Sequence, residues 1–187
     1  MPYESIWRSH LSHDELGRLP EAHIRHPLNS ASDVYLKRLS PLFGLQRLAL
    51  YIARVPPGGE SFLYHSHERN EEFLFILSGN GVAEIGEDSI EVGAGDFMAF
   101  PAPDGPPHHL KNPFQVDLQY MMGGESSALD IVHFPRAGRH MIFAPSGILI
   151  VDDATTKRLT LSDWVAPEVS ETSHPVAAGN CLGGYSR

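Results

Sequence analysis

The sequence predicts an all-β fold, a barrel or sandwich of short strands, and two observations carry that prediction. From about residue 46 to residue 151 the apolar residues fall in short runs, mostly under ten long, broken by Gly, Pro, Asn and Asp. Such spacing indicates many short strands. No run in that region has both the length and the period of a helix. At 187 residues, 42% hydrophobic and 20% charged, the chain has the length for one full core and the balance of a globular protein.

Taken in order, the first 45 residues differ from the rest. Ser12-His13-Asp14-Glu15 is a capping-box pattern ahead of a short amphipathic segment that Gly17 and Pro20 cut off, so one short helix is expected there. Strands are expected at 47–55, 61–67, 72–77, 81–85, 96–100, 115–122 and 148–151, with Gly86-Glu87-Asp88-Ser89 as a hairpin turn. After about Leu161 the periodicity fades into Pro, Ser, Gly and Ala, as in an arm or tail. The divisions are then an N-terminal extension over 1–45 packing on the barrel, a barrel over 46–152 and a C-terminal arm or tail over 153–187.

A net charge of -9 and a pI near 5.6 provide no cationic surface for phosphates, so no nucleic-acid partner is expected. The opening MPYESIWRSH lacks a basic stretch followed by an apolar one, and no run approaches about 18 apolar residues; neither a signal peptide nor a membrane span is expected. The lone Cys181 cannot form an internal disulfide, which suits a cytoplasmic location.

The chemistry gathers in two short segments. His65 and His67 lie two apart in an expected strand, which turns both imidazoles to one face with Cα atoms roughly 6–7 Å apart. Glu72 follows past a polar turn and opens the apolar run Phe73-Leu74-Phe75-Ile76-Leu77. A carboxylate at the lip of such a run costs free energy unless it is paired or ligates a cation. Farther on, His108 and His109 begin another short strand; being adjacent they face opposite ways, so one of them can join the same spot and the other points to solvent or the barrel wall.

These residues resemble the two motifs of the cupin superfamily. Gly59, His65, His67, Glu72 and Gly79 meet every position of G-x5-H-x-H-x4-E-x6-G. Gly95, Pro101, Gly105, His108 and Asn112 meet G-x5-P-x-G-x2-H-x3-N, except that three residues rather than one separate Pro101 from Gly105. The intact G-x2-H-x3-N half favours His108 over His109. The resemblance implies a jelly-roll (double-stranded β-helix) barrel with extended N- and C-terminal segments, holding one divalent transition metal on His65, His67, Glu72 and His108. Three imidazoles and a carboxylate suit Fe, Mn, Zn or Ni and leave coordination positions open, the arrangement of a catalytic site. It further implies a metal-dependent enzyme for a small oxygen-rich molecule, a sugar derivative or a keto or hydroxy acid, by isomerase, dioxygenase or lyase chemistry; a non-catalytic ligand-binding or sensor protein is the alternative. Arg54, Gln119 and Tyr120 stand on expected strands and could line the pocket. The two apolar faces of 73–77 fit a second sheet of the same chain or a partner subunit equally well, and the resemblance implies a homodimer. Asn112 is expected to hold a turn.

Overall fold

The computed structural model describes residues 8–157 and residue 159; the expected tail, Cys181 included, lies almost wholly outside the described residues. Packing divides the chain into a unit Met1–Thr156 and a second, Lys157–Arg187, and the elements below belong to the first.

The expected helix is present as α1 (His13–Arg18). Its capping box is complete: Ser12 Oγ accepts from the Glu15 N–H at 3.3 Å, and the Glu15 carboxylate accepts from the Ser12 N–H at 2.9 Å. The strands are β1 (Ala22–Ile24), β2 (Val34–Arg38), β3 (Leu48–Val55), β4 (Ser66–His67), β5 (Glu72–Ser78), β6 (Asn80–Ile85), β7 (Asp88–Gly93), β8 (Phe97–Phe100), β9 (His108–Lys111), β10 (Leu118–Glu125), β11 (Asp130–Phe134), β12 (Arg139–Ala144) and β13 (Gly147–Asp152). No helix among the described residues is long and apolar enough to cross a membrane.

Three antiparallel sheets run in the orders β1-β2-β3-β10-β5-β8, β13-β12-β11-β4 and β7-β6-β9. The main core joins the first sheet to the third: Val55, Ile76 and Leu118 from one meet Ala83, Val92 and Leu110 from the other. A smaller cluster of Val132, Phe134 and Met141 lies on the inner face of the second. The all-β jelly-roll barrel predicted from sequence is therefore the fold.

Two differences from the sequence expectation bear on the site. Of the strand expected at 61–67 only Ser66–His67 forms, because this segment changes partners: Ser61 donates to Leu110 O at 2.8 Å and His65 bridges His108, whereas Ser66 and His67 pair with β11. Strands β1, β2, β7, β11 and β12 were not expected, and Asp88 and Ser89, expected in the hairpin turn, open β7. The three residues of β1 are all exposed, so pairing with β2 rather than any apolar pattern makes them a strand.

The lengthened turn before His108 folds back on itself. A Cβ at Gly105 would stand 2.1 Å from the Pro101 carbonyl oxygen, so only glycine allows that approach. At Gly79, φ is 78° and a Cβ would meet Asp117 O at 2.2 Å, which explains the glycine between β5 and β6.

Candidate metal centre

Alternation along β5 turns Leu74 and Ile76 inward and leaves Phe75 and Leu77 on the outer face. Glu72, at the inner end, carries a side chain only 13% exposed. The bridge between His65 and His108, with backbone bonds of 3.1 and 2.7 Å, sets those two residues side by side. Pairing of His67 with Val132 of β11 brings a third imidazole. The Nε2 atoms of His108, His67 and His65 lie 3.1, 3.5 and 3.7 Å from the same Glu72 Oε2.

The far sides of the rings decide what Nε2 can do. His65 Nδ1 lies 2.6 Å from Leu63 O, and His67 Nδ1 lies 2.6 Å from Asp130 Oδ2. Both partners are acceptors, so Nδ1 carries a proton, and in the neutral form of either ring the lone pair is at Nε2. His108 stacks on Phe100 with centroids 3.5 Å apart and planes 6° from parallel. Its Nδ1 is buried without a hydrogen-bond partner.

Burial alone would raise the Glu72 carboxyl, but the bonds from His108, His65 and His67 outweigh it and hold the group well below its ordinary value. Burial alone would lower His67; Asp130 and Glu72 overturn this and raise it to about 9. In His108 burial dominates and the value falls. The ligand atoms of His65, His67 and Glu72 lie within 4.8 Å of one another, and this group could hold a metal ion. The converging Nε2 atoms around one carboxylate oxygen are a donor set that fits a borderline divalent cation.

A cavity of about 510 Å³ lies over His65, His67 and Glu72, between inner residues of β3, β5 and β10 and those of β11 and β12. The segment Ile24–Pro27 forms part of its wall, and among the described residues Arg25 is the one Arg or Lys lining it. His26 lines it too. Its Nδ1 accepts from the Leu28 N–H at 3.2 Å, which leaves the proton on Nε2, and burial followed by the charges of His65 and His109 lowers its pKa to about 4.

Tyr120 lies beneath His65, Glu72 and His108, fully buried, and burial together with the Glu72 charge keeps its phenol protonated. Arg54 and Gln119 do not line the cavity: they alternate with the core residues Ala53, Val55, Leu118 and Tyr120, and period two turns them to the other face. There Arg54 pairs with Glu21 at 2.7 Å and Asp117 at 3.2 Å. His109 is buried in the barrel wall, 3.5 Å from Glu60 and 3.6 Å from Glu84. Asn112 donates to Val55 O and Val116 O and accepts from the Phe114 N–H, so it holds the turn after β9.

Sequence reasoning missed Asp130, Arg25 and His26. For Asp130 a signal existed: like Glu72, it is a carboxylate at the lip of an apolar strand, here Ile131-Val132-His133-Phe134. For Arg25 and His26 no local pattern marks the segment.

Residues 51–124 match the model of the cupin domain family. A protein from Acidithiobacillus ferrooxidans, provisionally named a sugar phosphate isomerase, has a structure that superposes with a TM-score of 0.76 at 27% identity, covering 80% of this chain and 96% of its own. A cupin-superfamily sugar phosphate isomerase from Silicibacter pomeroyi superposes at 0.70 with 23% identity, covering 82% and 98%. A predicted oxalate decarboxylase from Thermotoga maritima gives 0.51 with 21% identity, covering 60% and 96%. These last two likenesses speak for the fold alone. No curated protein gives a significant match. With both motifs, the jelly-roll barrel and the matching domain model in agreement, the chain carries a cupin domain over residues 51–124.

Proposed function

We propose that this cupin is a metal-dependent enzyme acting on a small, oxygen-rich, anionic molecule, with isomerisation of a sugar phosphate as the first activity to test. The observation that carries the reading is the convergence of three Nε2 atoms on one Glu72 oxygen at the floor of a 510 Å³ cavity. In this reading His65, His67, Glu72 and His108 hold one divalent transition metal, Fe, Mn, Zn or Ni. Bound there, the metal supplies Lewis-acid polarisation of a substrate carbonyl or hydroxyl. Glu72 offsets part of the cation's charge, and the apolar walls limit water around the reacting group. Arg25 supplies the cationic group for the substrate's phosphate or carboxylate. His26, neutral near pH 7 and protonated at Nε2, donates a hydrogen bond to a substrate oxygen. The likeness to the A. ferrooxidans protein over most of both chains supports testing isomerisation before dioxygenase and lyase chemistry.

The same proposal includes a homodimer in the cytoplasm, formed through the outer face of β5 and β8. There Phe97 is 63% exposed beside Phe75 and Leu77.

Elemental analysis of the purified protein with the His65→Ala and His108→Ala variants tests the centre. Near-stoichiometric metal in the parent, lost from both variants, is expected. Reloaded protein is then given aldose and ketose phosphates, with interconversion followed by NMR. No metal after anaerobic reloading would sink the catalytic reading, and tight retention of one ligand without turnover would favour the binding protein.

A further inference from the structure

We infer that Asp130 is a positioning residue of the metal centre, holding the His67 ring so that Nε2 rather than Nδ1 is presented to the ion. The inference rests on the metal-site reading above and adds to it a residue outside both cupin motifs.

Asp130 opens β11, on a different sheet from Glu72 and His108. It is 1% exposed, which is costly for a carboxylate unless both oxygens are used. Both are: Oδ2 lies 2.6 Å from His67 Nδ1, and Oδ1 accepts from the Arg69 N–H at 3.0 Å. The second bond matters as much as the first. It ties the carboxylate to the backbone two residues beyond His67, so Asp130 is not free to swing toward the ion. The Glu68 N–H bond to Ile131 O, 2.9 Å, and the pairing of His67 with Val132 fix the same stretch from the other side.

The geometry also rules Asp130 out as a ligand. It faces the Nδ1 edge of the ring, whereas Nε2, 3.5 Å from Glu72, is on the opposite edge. An ionised carboxylate only accepts, so it selects the ring form with the proton on Nδ1 and increases the donor strength of Nε2. His65 obtains the same orientation from the Leu63 carbonyl. Only His67 among the candidate ligands uses an ionised partner for this purpose.

The test uses Zn²⁺ alone as the probe, because it is diamagnetic. Affinity is measured by chelator competition for the parent and for Asp130→Asn, together with the melting temperature of each metal-free protein. Long-range proton–nitrogen NMR of the zinc-loaded parent reads which His67 nitrogen keeps its proton. Expected are a Nδ1-bound proton on zinc-loaded His67 and an affinity about 10–100-fold weaker in the variant. In the variant the amide can turn its NH₂ to His67, and the Nδ1 proton signal should be lost or displaced. Zinc held through Nδ1 in the parent would overturn the inference without any variant being needed. So would an affinity within about twofold of the parent in a folded Asp130→Asn, or weaker binding with the Nδ1 proton signal unchanged. In those cases the metal centre stands. A parent that takes up no zinc removes the metal-site reading and this inference together.

Discussion

Asn112 shows how much one side chain can settle. It is 1% exposed and serves two backbone carbonyls and one backbone N–H around the turn between β9 and β10. Each buried polar group left without its partner costs about 1–3 kcal/mol. Asn112→Leu is therefore expected to lose about 2–3 kcal/mol or more, read as a lower denaturant midpoint at unchanged slope. Because His108 lies four residues earlier on the strand that this turn closes, zinc affinity should weaken as well. A variant as stable as the parent would show that solvent takes over all three bonds.

At the scale of elements, β5 carries the site on one face and the proposed subunit contact on the other. Replacing both Phe75 and Phe97 with Asp should convert a dimer into a monomer in sedimentation while zinc binding persists, because Glu72, Leu74 and Ile76 face the opposite way. A parent that sediments as a monomer would dismiss the dimer. Strands β6 and β9 are joined by a charge cluster, in which Glu84 accepts from Lys111 at 2.8 Å and from Arg136. Burial alone would raise the Glu84 carboxyl, yet Lys111 and Arg136 hold it down at about 2 against an ordinary value of 4.5. A depressed carboxyl contributes stability above its unfolded value and loses it as pH falls toward the folded one. Glu84→Gln should thus be less stable than the parent at pH 7 and lose less between pH 4.5 and 2. Parallel denaturant midpoints across that range would remove Glu84 from the account of acid sensitivity.

At the scale of the molecule, the candidate ligands come from all three sheets: Glu72 from the six-stranded, His67 from the four-stranded and His108 from the three-stranded one. An ion joining them acts as a cross-link present only in the folded state. At free metal about 100 times its dissociation constant the stabilisation is about 2.7 kcal/mol. For a chain of this size that corresponds to a rise of about 5–10 °C in melting temperature. Scanning calorimetry before and after chelation checks it, and identical traces would mean that the group binds no ion in solution.

How much was legible in the sequence follows the range over which each feature is decided. Strand content, the α1 capping box, the hairpin turn at Gly86 and the grouping of His65, His67 and Glu72 depend on periods and spacings of a few residues, so local order reveals them. The identity of His108 as the inward histidine also followed from a short motif, and the distance to Glu72 agrees with it. Arg54 and Gln119 were not separable from Tyr120 by sequence, since alternation gives two faces without saying which is inside. Asp130 meets His67 across 63 residues, and Ile24–Pro27 reaches the cavity through the pairing of β1 with β2. Those contacts depend on which strands become neighbours, and that is decided by how the strands of the three sheets pack together rather than by any segment within them.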